Sequence, residues 1–569
     1  MGFMNELEVF SHAIGYRSTK NMFLRMIVPF VAVSIVVAFL VRFFTSAPLF
    51  LSLVIIGLGF VTASLMPVIR YNMLKADIQN NIHYMITYAG TLSTMNISHY
   101  ILFKRLREKS FYGHISSIFS QIYELTTRWH LDYPSACKHM SKRTPSRILR
   151  NFLDRTALAI GFGEDLHVFL DGEQEAVLED YAIEYQKSLE NIKMVQEFFM
   201  ALTVSFAFSI SVLLFATLMM DINIGNTMMW GFIALFVIDA VLVAIIFSII
   251  PKDTLFNSPD HFNKYQQYLP KALFISLAIS IILFTSLHLL TTLPWLVSLS
   301  ISIIPFFYVS YLSKQEESRV KSRDNQFPSF MRVLGSAIEV RAGAVKSAIS
   351  QIKVHDFGQL NSMLENLYRR WVIAEDKFVS WSHFTKEGGS KLITNFTKIF
   401  SESIYLGGNG TKIGEIISKN IIHQLSLRKL RDQQASSMKG LVYGLFFGII
   451  ITVFISVEIS RFLIDTFSMN DSQAESMGFV QSIFPNISAI NFDFVFTMVA
   501  LMLVFHAFAS SFMMKLVEGG SLYSALTDFI ILVWIITILS LIVPGIVGSI
   551  LPESTSMMQA GAVNTTISV

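Results

Sequence analysis

Residues 406–417, LGGNGTKIGEII, hold the glycine density and the lysine that a phosphate-binding loop uses. Such a loop cradles phosphate with backbone N–H groups and ends in Gly-Lys-Ser/Thr, so that the ammonium reaches phosphate and the hydroxyl reaches magnesium. Here Thr411 precedes Lys412, and Ile413 stands where the hydroxyl belongs. Gly408, Gly410 and Gly414 are spaced G-x-G-x-x-x-G, one residue longer than the dinucleotide fingerprint. The spacing points instead to a turn between two helices. His139 and His383 lack a second His, Cys or acid at metal-ligand spacing, and the single cysteine, Cys137, excludes an internal disulfide and a cysteine metal cluster. Glu164 and Asp165 are adjacent, so a helix would point them in different directions. With no H-E-x-x-H or G-x-S-x-G motif either, the sequence offers no catalytic set, no metal site and no cofactor.

The elements that carry these residues follow from composition. The 569-residue chain is 53 % hydrophobic and 15 % charged with a net charge of +3, against roughly 45–50 % and 25 % in soluble domains. Its mean hydropathy is +0.53. A membrane protein is implied, and the charge gives no basis for a nucleic-acid partner. Nine stretches approach the roughly 20 apolar residues that a hydrocarbon core requires: 26–43, 48–69, 199–220, 229–250, 272–290, 293–312, 440–459, 493–513 and 527–550. The first is longer than a signal-peptide core and reads as a retained anchor. Arg70, Lys75, Lys252, Lys264, Lys271 and Lys515 fall on one side of the short connections, whereas 221–227, 290–294 and the tail after Leu551 carry no Lys or Arg. The positive-inside rule then puts the N-terminus and both long polar segments in the cytoplasm and the C-terminus outside. Asn470, Asn486 and Asn564 begin possible glycosylation triplets on the outer face.

The two polar segments, 70–198 and 313–439, are copies of one another. Arg128-Trp129 matches Arg370-Trp371, His139 with Lys142 matches His383 with Lys386, Asn151-Phe152 matches Asn395-Phe396, and Gly161-Phe-Gly163 matches Gly408-Asn-Gly410. The recurring glycine pair reads as a helix-ending turn, where glycine tolerates positive φ. Ile115, Ile118, Phe119, Ile122 and Trp129 recur at helical spacing in the first copy, as Leu360, Met363, Leu364, Leu367 and Trp371 do in the second. Both tryptophans are expected in the core. The fold class is therefore an all-α polytopic membrane protein with about nine transmembrane helices and two repeated cytoplasmic helical bundles. Its layout is 1–69 (spans 1–2), 70–198 (module 1), 199–312 (spans 3–6), 313–439 (module 2) and 440–569 (spans 7–9 and a short outer tail).

Phe327-Pro328, then Ala342-Gly343, then Gly408 and Gly410 give the second copy a series of motifs that resembles the type II secretion system F family, the membrane platforms of type IV pilus and secretion machines. The first copy departs from it with Asn81-Ile82 and Met95-Asn96 at the corresponding places. Two modules in one chain resemble the archaeal members, those of the archaellum most of all. The resemblance implies a non-enzymatic, dimeric platform in the archaeal membrane. Its partners would be a cytoplasmic hexameric secretion ATPase, pilin-like filament subunits and archaellum accessory proteins. The helix over 173–197 is acidic and that over 412–439 basic. Given the resemblance, Arg428, Lys429 and Arg431, with Lys104, Arg105, Arg107 and Lys109, are candidates for docking the ATPase. The alternative within the chain is that the acidic and basic helices pair with each other. Asp239, near the middle of a span, is the intramembrane polar residue of interest. A secondary transporter or permease is the competing reading, and would need helices broken at matched places in both halves.

Overall fold

The computed structural model describes Val28 and residues 49–95, 97–108, 112–219, 224–257, 264–373, 375–468 and 492–550. The first expected span (apart from Val28), Lys109 and the three Asn triplets lie outside the described residues. Among the described residues the chain is helical, without strands, and divides into two compact units. Seven helical stretches are long and apolar enough to cross a membrane, one of them, Trp295–Val340, being interrupted after Ser302, and they overlap the expected spans three to nine; residues 49–69 are also helical, within Leu49–Ser93.

The first unit holds the described residues up to Gln186 together with Pro251–Asp253 and Ser322–Leu427. Its elements follow the repeat. A long entry helix, α1 (Leu49–Ser93), leads to α2 (His99–Arg107), α3 (His114–Thr127), α4 (Tyr133–Ser141), α5 (Arg147–Phe162) and the long exit helix α6 (Leu166–Met219). After α7 (Ile224–Ile249), α8 (Lys264–Leu290) and α9 (Trp295–Ser302), the order recurs with α10 (Pro305–Val340), α11 (Val345–Ile352), α12 (Asn361–Val372), α13 (Lys377–Gly388), α14 (Lys391–Tyr405) and α15 (Gly410–Ser468). The apolar stripes bury as their spacing requires: Ile115, Ile118, Phe119 and Ile122 on α3, and Met363, Leu364 and Leu367 on α12. Caps fix the starts. The Asp132 carboxylate accepts the Ser135 N–H at 3.1 Å, and Asp376 accepts those of Phe378 and Val379, each cap contributing about 1 kcal/mol.

Two expectations about the repeat need correction. Trp129 is 74 % exposed, not core, while Trp371 is half-buried. The reason is local: α3 ends at Thr127 and His130 turns to φ 54°, so Trp129 lies beyond the helix, whereas α12 continues through Trp371. The left-handed glycines are Gly163 (φ 71°) and Gly407 (φ 90°), so the turn is present but Gly408 and Gly410 serve another purpose.

The facing helices of the two copies share a buried polar layer. Asn420 donates to the Thr87 hydroxyl at 2.7 Å and Ser403 to the Thr91 hydroxyl at 2.8 Å, while each threonine donates to a carbonyl of its own helix. Tyr84 meets Phe396 edge-on with ring centroids 5.1 Å apart. Asn420, Ser403, Thr87 and Thr91 are each hydrogen-bonded, which offsets the cost of burying them and makes the register specific.

The second unit, Lys187–Ile250, Thr254–Lys321 and the described residues from Arg428 on, carries the spans, including α16 (Phe492–Glu518) and α17 (Ala525–Ile550). Phe232 and Phe236 of α7 pack on Phe505 of α16, and Phe508 of α16 meets Phe529 of α17 edge-on. The expected span over 293–312 is not one helix: α9 stops at Ser302 and α10 begins at Pro305, whose ring cannot continue the preceding turn. The short α9 is held by Trp534, whose indole N–H donates to the Ser300 carbonyl at 3.1 Å, and by packing of Ile303 on Ile530 and Val533.

Candidate functional site

The glycine-rich turn settles first. At the start of α15 the free backbone N–H groups that would hold a phosphate are already taken. Glu339 accepts the Gly410 N–H at 2.7 Å and the Asn409 amide at 3.1 Å, and Asn409 in turn caps the Lys412 N–H at 2.9 Å. An acid occupies the position an anion would need. Gly410 and Gly414 instead permit a close crossing with α10: a Cβ on Gly335 would stand 2.3 Å from the Gly410 carbonyl, and one on Gly414 would stand 2.8 Å from that of Met331. Neither Glu339 nor Gly335 carries a sequence signal for this role, since both lie some 70 residues from their partners and outside any motif.

The basic candidates divide between the units. In the first, α2 buries Leu102, Phe103 and Leu106 and turns Lys104, Arg105 and Arg107 to its half-exposed side. Arg105 reaches Glu108 at 3.3 Å, and Arg107 lies 3.9 Å from the centre of the Tyr123 ring. In the second unit Lys429 is exposed and Arg428 half-exposed. Arg431 is different: it is 6 % exposed and donates to the carbonyls of Leu516 at 2.9 Å and Val517 at 2.8 Å. It closes the carbonyl end of α16, where the helix dipole favours a cation, ahead of the two left-handed glycines Gly519 and Gly520. Arg431 is therefore engaged inside the unit and does not belong to a docking surface.

Beside it lies an ion cluster that sequence reading missed. Lys515, counted above among the loop cations, has its side chain 1 % exposed and pairs with Glu317 at 2.9 Å and Glu518 at 3.1 Å. Glu317 also accepts the Ser521 N–H at 2.7 Å and the Ser524 hydroxyl at 3.0 Å. Lys439 bridges Glu518 at 2.9 Å and Asp528 at 3.4 Å, and Tyr443 donates to Asp528 at 2.8 Å. Four helices, α10, α15, α16 and α17, are joined through this cluster of two lysines and three acids.

Asp239 of α7 is 3 % exposed and sits 2.8 Å from His506 Nδ1 of α16. The imidazole lies between the rings of Phe199 and Phe446, with centroids 5.4 and 5.2 Å away. The intramembrane acid thus has a dedicated partner, as burial of a charge in hydrocarbon requires. His139 is exposed, and His383 lies 3.8 Å from Glu375. Among the described residues no group of three His, Cys, Asp or Glu is placed to hold a metal. The acidic and basic exit helices do meet: Lys419 lies 3.7 Å from Glu175, and His423 faces the Leu178 carbonyl at 3.1 Å.

Comparison with known proteins gives the context for this arrangement. The chain is 29 % identical over 546 residues to flagella accessory protein J of Methanocaldococcus jannaschii, covering 94 % of this chain and 96 % of that one. It is 28 % identical over 545 residues to flagella accessory protein J of Methanococcus voltae, covering 94 % and 97 %. The chain is similar to both of these flagella accessory J proteins along nearly its whole length. The match spans both polar copies and the helices between and beyond them, which makes the chain an archaellum-related membrane protein. No family model and no solved structure matches it.

Proposed function

We propose that the protein is the integral membrane platform on which an archaellum filament is assembled, coupling a cytoplasmic hexameric ATPase to the insertion of pilin-like subunits. The observation that carries this reading is the match to flagella accessory J proteins along nearly the whole of both chains. Three features support it. The two copies close on one another through a hydrogen-bonded polar layer, giving a single body for a partner to grip. The exit helices α6 and α15, of 54 and 59 residues, continue without a break from polar into apolar sequence. Asp239 with His506, and Lys515 with Glu317, pair helices of the spans.

In this reading the modules and the N-terminus face the cytoplasm, the C-terminus faces outward, and the platform is a homodimer. Lys104, Arg105, Arg107, Arg428 and Lys429 receive the acidic surface of the ATPase, and Arg431 holds the end of α16. The transporter reading is weaker, because the break before Pro305 has no counterpart at 49–69, the matching place in the first copy, where α1 is continuous.

Affinity purification of the tagged protein from its own membranes in mild detergent, with mass spectrometry of what stays bound, tests the proposal. Recovery of a secretion-type ATPase is the expected result, with loss when Lys104, Arg105 and Arg107, or Arg428 and Lys429, become Glu. Absence of any ATPase even after cross-linking would refute the platform reading. Unchanged recovery in both variants at physiological salt would refute the docking residues alone.

A further inference from the structure

One surface of the first module plays no part in the reading above. Between α4 and α5 runs a groove of about 460 Å³. Pro134, Ala157 and Leu158 supply its apolar surface; Lys138, Lys142 and Arg150 line it as well, and Asp154 is the one acid among the lining residues. Leu158 is 59 % exposed, and Phe162, one turn further along the same helix face, is 85 % exposed. Large apolar side chains left uncovered beside a concave surface mark a place of contact.

Charge narrows the occupant. From Arg128 to Arg155 the chain carries seven Lys or Arg and two acids. Arg155 is neutralised by Glu173 through paired bonds of 2.6 and 2.9 Å, and Arg147 lies 3.4 Å from Glu184, but Lys138, Lys142 and Arg143 are exposed. The same field is felt by His139, held below the usual imidazole range by partial burial and then by Arg143 and Lys142. The matching helices of the second module also expose apolar groups, Phe378 at 51 % and Leu406 at 41 %, yet Glu375, Asp376 and Glu387 lie in and before α13. Those acids offset Lys377, Lys386, Lys391 and Lys398 in part, so the basic excess is larger in the first copy, which is also the copy that departs from the motifs of the family it resembles.

We propose that this groove receives an acidic amphipathic helix of a partner protein, with its apolar side chains against Leu158 and Pro134 and its carboxylates against Lys138 and Lys142. A helix lying in a groove between two helices is a recurrent mode of recognition, and the basic flanks set the sign of the partner. A flat anionic bilayer meets the same charges but cannot fill a concave floor. The inference does not depend on the ATPase reading, which uses other residues.

The test uses the full-length protein in mild detergent and a fluorescein-labelled helical peptide with leucine on one face and glutamate on the other, followed by anisotropy. Its counterpart with lysine for glutamate is the control. The acidic peptide is expected to bind and the lysine peptide not. Affinity is expected to fall about tenfold or more in Lys138→Glu/Lys142→Glu and in Phe162→Asp, the latter chosen because so exposed a side chain does not hold the fold. Retention of an unreactive Cys137 confirms that each variant is folded. Equal binding of both peptides, or unchanged affinity in the variants, would overturn the proposal. So would a photo-cross-linker placed at Phe162 that labels only lipid in native membranes, which would assign the surface to the bilayer.

Discussion

Replacing Lys515 by methionine keeps most of the side chain's length and removes its charge from between two carboxylates. The ammonium is 1 % exposed and lies 2.9 Å from Glu317 and 3.1 Å from Glu518. Removing one partner of a buried ion pair costs about 3–5 kcal/mol, chiefly because the other charge is left uncompensated. Here the survivors are not wholly abandoned: Glu317 keeps the Ser521 N–H and the Ser524 hydroxyl, and Glu518 keeps Lys439 at 2.9 Å. The expected cost is therefore at the lower end, about 3 kcal/mol, or roughly a hundredfold in the unfolding equilibrium. Adding Glu317→Gln should recover part of it, since the second substitution removes the stranded charge, with a coupling of about 2 kcal/mol between the two sites. Titration with dodecyl sulfate in mixed micelles, followed by circular dichroism of wild type, both single variants and the double variant, measures these terms. A Lys515→Met variant within about 0.5 kcal/mol of wild type, or strictly additive substitutions, would refute the view that this cluster ties α10, α16 and α17 together.

Arg431→Ala should lower stability by about 3 kcal/mol in the same titration, because two carbonyls at the end of α16 lose a charged donor, whereas Lys429→Ala should change it by no more than about 0.5 kcal/mol. Gly335→Val should abolish the close crossing of α10 and α15, seen as loss of monodisperse protein on size-exclusion chromatography; overpacking of this kind costs at least about 1–3 kcal/mol. Cys137, fully buried and with its thiol pushed up to about 12 by that burial, should resist maleimide at neutral pH and become reactive only on unfolding. Its thiolate fraction is about a thousandfold below that of a thiol at its ordinary value.

Periodicity and repetition made much of this fold legible in the sequence. The Ile115–Ile118–Ile122 stripe predicts a helix and its buried face together, and the unbroken apolar run at 199–220 needs only its length. Trp129 departs from its match because matching residues need not have matching surroundings, and one left-handed residue at His130 removes it from the helix. What could not be read were interactions between distant segments. Arg428, Lys429 and Arg431 look alike as a cluster, and only carbonyls 85 and 86 residues away separate the third from the first two. Lys515 looked like a loop cation for the same reason, its partner Glu317 being 198 residues distant. The groove beside Leu158 is likewise a property of two helices, and no one stretch of sequence announces it.

The polar layer that joins the two copies also sets a timetable for making the protein. Thr87 is 333 residues ahead of Asn420, and Thr91 is 312 ahead of Ser403. At about 5–20 residues per second, the first copy leaves the ribosome roughly 15–65 seconds before its other half exists. During that interval four apolar helices must enter the bilayer while Tyr84, Thr87 and Thr91 face water or a chaperone instead of Phe396, Asn420 and Ser403. A chain truncated before Lys391, where α14 begins, would keep that face open for good, giving a surveillance protease a marker of incomplete synthesis that the finished protein does not display.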